Sequence, residues 1–243
     1  MGPDDYQAIS QRISSYLNQP TASEKRRKIP EEKEMTKFNG FETRISAIFV
    51  DIRNSTELFA DADRDMISRI VRSFANEVVR FMLSDNCYEI GIRGDCVYGV
   101  YSTRTDATVY SVYTIATQIN TLIGLLNQHY IRKGYPRIEV GIGLATNTDR
   151  VVKVAPRGTG VSELVWVGEA VPMASNLSGY GCKDDIGPIV MTKKFYDAIS
   201  KQFQKNNDRK EWFTRFTKDG RVFYHCSGVM SGFNDWIKEK FGL

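Results

Sequence analysis

The hydrophobic pattern changes period several times along the chain. ISAIFVDIRNSTELF, residues 45–59, opens as an almost unbroken apolar run, stops at a single acid, Asp51, and passes into the polar turn Asn54-Ser55-Thr56. A short continuous apolar run bounded by turn residues predicts a buried strand, Ile45 to Asp51. Ile67, Ile70, Val71, Phe74, Val78, Val79 and Met82 then recur at three- and four-residue spacing and predict a helix over 65–83. CYEIGIRGDCVYGVYS, residues 87–102, reads as two strands joined at Gly94-Asp95, and a long helix follows over about 106–130. RIEVGIGLAT and LVWVG read as strands, IVMTKKFYDAI as a further element, and WFTRF with RVFYHC as a pair around Lys218-Asp219-Gly220. Strand, helix, hairpin, helix and further strands make an α+β order, which predicts a ferredoxin-like antiparallel sheet with helices and additions at both ends.

Those additions differ in character. Tyr6, Ile9, Ile13, Tyr16 and Leu17 predict a short amphipathic helix ended by Pro20. EKRRKIPEEKEM follows, and its basic cluster Lys25 to Lys28 reads as a solvated linker rather than a nucleic-acid contact. At the other end Phe233, Trp236 and Phe241 stand at helical spacing and are expected to pack on the body or on a second protomer. The expected organisation is therefore 1–40, helix and charged linker; 41–226, the main domain; and 227–243, an aromatic tail.

Composition narrows the classes. With 243 residues and 42% apolar content the chain can bury one substantial core. A net charge of +4, from 33 basic against 29 acidic residues, is too balanced to indicate nucleic acid or a membrane as partner. No uninterrupted apolar run approaches the ~18 residues of a membrane span, and MGPDDYQAIS lacks a signal peptide's basic start and apolar centre, so a cytoplasmic protein is expected. Cys87, Cys96, Cys182 and Cys226 are scattered without a C-x-x-C pair, which predicts reduced thiols rather than a zinc site or disulfides.

The acid at the end of the first strand has a counterpart in Asp95, in the tight turn of the hairpin. If those strands lie side by side, the two carboxylates face each other and repel unless cations sit between them, and oxygen-only ligands suit magnesium or manganese. Asn54, Ser55 and Thr56 would then open a helix whose N–H groups face an anion held beside Asp51. The structural alternatives are a helix cap for Asp51 and a simple hairpin turn for Gly94-Asp95.

Taken in order and spacing, FVDIRNSTEL, IRGDCVYGVY, IEVGIGLAT and VWVGEAVPMASNL resemble the catalytic domain of class III nucleotidyl cyclases over about residues 41–226. The resemblance implies a head-to-tail homodimer with shared active sites, in which two divalent cations, Mn(2+) or Mg(2+), activate the ribose 3′-hydroxyl to attack the α-phosphorus and expel pyrophosphate. It assigns Asp51 and Asp95 as metal aspartates and Ile52 as the carbonyl donor. Asn54, Ser55 and Thr56 match the phosphate loop, and Lys218 the triphosphate-binding lysine.

The departures point to a branch. The position at which that family reads a purine, four residues before Asp95, is Gly91, and a second base-reading position falls on Val165. The transition-state asparagine and arginine fall on Pro172 and Asn176. Kept metal aspartates with lost purine readers resemble the bacterial Pycsar anti-phage cyclases, which make cyclic UMP or cyclic CMP for a separate effector protein. Arg93 and Trp166 are the candidate contacts to the base or triphosphate, with a surface cation and a core aromatic as their respective structural alternatives. Because Arg93 can only donate hydrogen bonds, UTP is expected over CTP. A cytidylate cyclase, an adenylate or guanylate cyclase, and a catalytically silent cyclase-fold module are the alternatives.

Overall fold

The computed structural model describes residues 2–18, 22–36, 38–60, 62–84, 86–154, 163–203 and 210–243. The chain divides into two compact units, Met1–Thr43 with Arg150–Val167, and Arg44–Asp149 with Gly168–Leu243.

The second unit carries the ferredoxin-like core. β2 (Asn39–Ile52) enters it at Arg44, β3 (Cys87–Arg93) and β4 (Cys96–Ser102) form the expected hairpin, and β5 (Val140–Val154) leaves it after Asp149. β7 (Ile189–Thr192), β8 (Thr214–Lys218) and β9 (Arg221–Cys226) complete the order β3-β4-β2-β5-β7-β9-β8. The β3-β4 and β4-β2 pairs are antiparallel. β5 opposes β2 in direction, since Thr146 Oγ1 donates to Ile45 O at 2.8 Å while Arg53 N donates to Glu139 O at 2.8 Å. The sheet is nonetheless mixed rather than wholly antiparallel, because β7 runs parallel to β5.

Helices α3 (Arg64–Met82), α4 (Asp106–Arg132) and α6 (Lys193–Phe203) accompany this sheet. Asp63 caps α3 by accepting from Asp65 N and Met66 N, and Thr105 with Thr108 forms a capping box on α4. Ile48, Val50, Ile52 and Val97 of the strands join Phe74, Val78, Val112 and Ile119 of the helices in one buried core. By length and composition α4 could cross a membrane, but its apolar residues are largely taken up by that core. The tail forms α7 (Ser231–Phe241), with Phe233 stacked near Phe81 at 6.2 Å and Arg132 over the Phe241 ring at 4.3 Å, so it packs on its own body.

In the first unit, α1 (Pro3–Asn18) matches the amphipathic expectation, while Pro20 lies outside the described residues. The charged stretch is not simply a solvated linker. Ala22–Lys25 forms β1, paired in parallel with β2, because Arg26 N donates to Glu42 O at 2.8 Å and Ile29 and Met35 are buried. β6 (Glu163–Val167) pairs with the outer part of β5 and carries Val165, exposed, and Trp166, half-buried opposite Val151.

Candidate active site

Side chains alternate across a strand, so the face of β2 turned away from the α3/α4 core carries Ala47, Phe49 and Asp51. The register extends this into rows across three strands. Asp51 stands opposite Cys96, which stands opposite Arg93; Phe49 stands opposite Tyr98, which stands opposite Gly91. α2 (Ser55–Ala60) begins three residues beyond Ile52, after Asn54 has taken a left-handed φ of 49° and accepted from Leu58 N at 2.8 Å. α5 (Ala170–Ser178) lies against the same face. Its approach requires Gly141 on β5, where an added Cβ would sit 1.9 Å from Ser178 O.

The structure brings Asp51 and Asp95 into mutual electrostatic reach. Burial, and then the charge of Asp95, raise the carboxyl pKa of Asp51, against the opposite pull of Arg53 and Lys183. Asp95 keeps one buried oxygen, Oδ2, without a hydrogen-bond partner. The Cys96 thiol beside them is pushed up to about 12 by burial and then by both aspartates, and stays protonated. Two repelling carboxylates and an orphaned oxygen are a donor set that fits a divalent cation. Among the described residues no group of three His, Cys, Asp or Glu side chains could hold a metal without other donors, so the Ile52 carbonyl and substrate oxygens would have to complete the shell.

Arg53 is the residue that the sequence reading missed. Its guanidinium is buried and donates to Asp51 Oδ2 at 2.7 Å and to Gly179 O at 3.0 Å, while Nε is unpartnered. The ion pair does not bring the Asp51 pKa down, because burial and Asp95 outweigh it. Lys183, exposed in the turn after α5, is a second missed cation. Both lie far from the aspartates or unmarked in sequence, and only the fold reveals them.

The remaining expected residues divide. Arg93 is exposed in the Asp51 row two strands away, about 10 Å across the sheet. Lys218 is not brought to Asp51: β8 is four strands from β2, about 19 Å. Its Nζ lies 4.1 Å over the Tyr180 ring instead. Trp166 belongs to the first unit. Pro172 and Asn176 are exposed on α5, and Glu169, at its start, makes no side-chain cap but approaches Arg221 at 3.8 Å. Arg157, a loop cation in the sequence, lies outside the described residues. A cleft of about 760 Å³ beside Asn54, Glu57 and Arg137 does not include either aspartate.

A ferredoxin-like sheet that sets two aspartates at the β2 end and the β3-β4 turn is the arrangement of a nucleotidyl cyclase. Residues 40–227 match the adenylate and guanylate cyclase catalytic domain, and the chain belongs to that family. It is similar to two curated proteins named uridylate cyclase: one from Treponema porcinum, 37% identical over 97% of this chain and 81% of the relative, and one from Gulbenkiania mobilis, 29% identical over 97% and 96%. Among solved structures, the adenylyl cyclase CyaB from P. aeruginosa matches with a TM-score of 0.63 at 16% identity, over 77% of this chain and 95% of that one. The guanylyl cyclase Cya2 matches with a TM-score of 0.64 at 16% identity, over 80% and 97%. At that identity the likeness is one of fold.

Proposed function

We propose that the chain is a uridylate cyclase that converts UTP to 3′,5′-cyclic UMP and pyrophosphate. The observation that carries this reading is the near-full-length similarity to two uridylate cyclases, together with a glycine, Gly91, where a purine-reading side chain is expected. In the reaction the ribose 3′-oxygen bonds to the α-phosphorus, the bond from that phosphorus to the β-bridging oxygen breaks, and the hydroxyl proton is released. Asp51, Asp95 and the Ile52 carbonyl would hold two divalent cations, manganese or magnesium, whose positive charge would lower the pKa of the 3′-hydroxyl and offset charge at the α-phosphate. Asn54, Ser55 and Thr56 are the candidate triphosphate turn. Arg93, a donor in the Asp51 row, favours the uracil carbonyl; of the two acceptors that would favour cytosine, Glu89 is engaged by Tyr98 Oη at 3.0 Å and Glu169 lies 3.8 Å from Arg221.

A homodimer with shared sites is part of the proposal, because Lys218 lies about four strand spacings from Asp51 within one chain and would act from a second copy. Cytoplasmic synthesis of a messenger for a separate effector in anti-phage defence follows from the Pycsar resemblance. The test is incubation with each of the four ribonucleoside triphosphates and manganese, with products resolved by mass spectrometry, followed by competition between equal UTP and CTP. Cyclic UMP in excess supports the reading. A product from ATP or GTP alone overturns the pyrimidine assignment, cyclic CMP in excess overturns the choice of uracil, and no product from any triphosphate favours the silent module.

A further inference from the structure

Beside the carboxylate row lies a second row, Phe49, Tyr98 and Gly91, on the same face of the sheet. Gly91 has no left-handed backbone to explain it. What it permits is contact: a Cβ at 91 would sit 2.3 Å from the Tyr98 ring and 2.4 Å from its hydroxyl oxygen. The ring is fixed from the other side too. Phe49 stacks on it at 5.1 Å with 14° between planes, and the hydroxyl donates to Glu89 at 3.0 Å. The Tyr98 ring therefore occupies the place where a side chain on β3 would stand.

The direction in which a nucleotide can extend follows from the strand ends. β2 stops at Ile52 and the β3-β4 hairpin turns at Gly94-Asp95, so past the aspartates there is no further sheet. A triphosphate held at Asp51 and Asp95 whose sugar and base rest on the sheet must run back over the Phe49-Tyr98-Gly91 row, one pair of residues or about 7 Å away. We propose that Tyr98 is a specificity-determining residue: clamped between Phe49, Gly91 and Glu89, its ring fills part of the base site and leaves room for a one-ring base only. The glycine is then not merely an absent purine reader but the space into which the wall is built. This rests on the pyrimidine cyclase reading.

The experiment measures kcat/KM for UTP, CTP, ATP and GTP with the full chain and manganese, for the parent, Tyr98→Ala, Tyr98→Leu and Tyr98→Phe, with melting curves for each. Opening the wall in Tyr98→Ala should raise the ATP-to-UTP ratio of kcat/KM at least tenfold. Tyr98→Phe, which keeps the ring, should leave the ratio unchanged. If Tyr98→Ala does not fold, Tyr98→Leu, which keeps apolar volume but not the flat ring, is expected to raise the ratio at least threefold. A folded Tyr98→Ala, or in its absence a folded Tyr98→Leu, with the parent's ratio overturns the inference; so does a Tyr98→Phe protein that loses selectivity, which would assign it to the hydroxyl. The parent's own product profile tests the underlying reading: if the parent prefers a purine, that reading fails, whatever the variants do.

Discussion

Asp51→Asn separates a metal site from a structural cap. The substitution keeps the shape of the side chain and an oxygen for the 2.7 Å contact from Arg53, but removes one of the two charges that a cation would neutralise. In metal-free protein the parent contains a half-buried carboxylate whose pKa is raised by burial and then by Asp95. A raised folded-state pKa means that the group's stabilising contribution is complete below the ordinary aspartate range and is lost as pH rises through the raised value. Asparagine has no such dependence, so the variant should gain relative to the parent as pH rises above the ordinary aspartate range. Against this, Arg53 keeps only a neutral acceptor, a loss of about 1 kcal/mol. The two effects oppose, and metal-free melting temperatures near neutral pH should differ by only a few degrees. Manganese at about a hundredfold over its dissociation constant should stabilise the parent by about 2.7 kcal/mol. For a chain of this size that is roughly 5–11 °C. The variant should lose most of this shift and all cyclase activity. Thermal melts with and without manganese, beside a product assay, decide it. An Asp51→Asn protein with the parent's manganese shift and the parent's rate would refute the metal assignment and leave Asp51 as a cap.

Asp95→Asn should behave likewise, losing manganese stabilisation and activity while remaining folded, by the same melts. Asp149→Ala should destabilise by about 3 kcal/mol, because a buried carboxylate then no longer accepts from Asn147 Nδ2 at 2.8 Å, Glu169 N at 3.1 Å and Ala170 N at 2.8 Å; chemical denaturation would measure it. Mixing Asp51→Asn chains with Lys218→Ala chains under exchange conditions should restore activity at no more than one of two sites per dimer, and recovery of no activity would remove Lys218 from a shared site.

The central strands and helices were legible because their periodicity is set by one-sided burial: Ile48 and Val50 inward, Phe49 and Asp51 outward, and the helical stripe from Ile67 to Met82. The β3-β4 hairpin was legible from Gly94-Asp95, with Gly94 at a φ of 59°. β1 was not, because it is short, fully exposed and charged, and its strand character comes from pairing with β2 rather than from its own pattern. The aspartate pair was legible as two motifs, but its electrostatic partners were not. Arg53 reads in sequence as one basic residue in a polar turn, and its burial comes from tertiary contacts, among them its hydrogen bond to the Gly179 carbonyl 126 residues away. Gly91 was legible as an absence; the Tyr98 ring that gives the absence a purpose lies across a strand, not along it.

The silent-module alternative meets a physical objection in the same residues. The Asp51-Asp95 pair costs stability in the metal-free protein: one carboxyl has its pKa raised, the other keeps a buried oxygen without a partner, and Arg53 leaves its Nε unpaired while compensating the first. A sheet end serving only as scaffold has no need of that arrangement, since Asn at either position would keep a polar turn without the repulsion. A cation between the carboxylates would offset that cost, and in the proposed site the half-buried aromatic row beside them would meet the organic part of a ligand whose phosphates reach the cation. On the proposed reading, the charge repulsion, the orphaned oxygen and the Tyr98 ring, all on one sheet face, would serve a single metal-bound nucleotide.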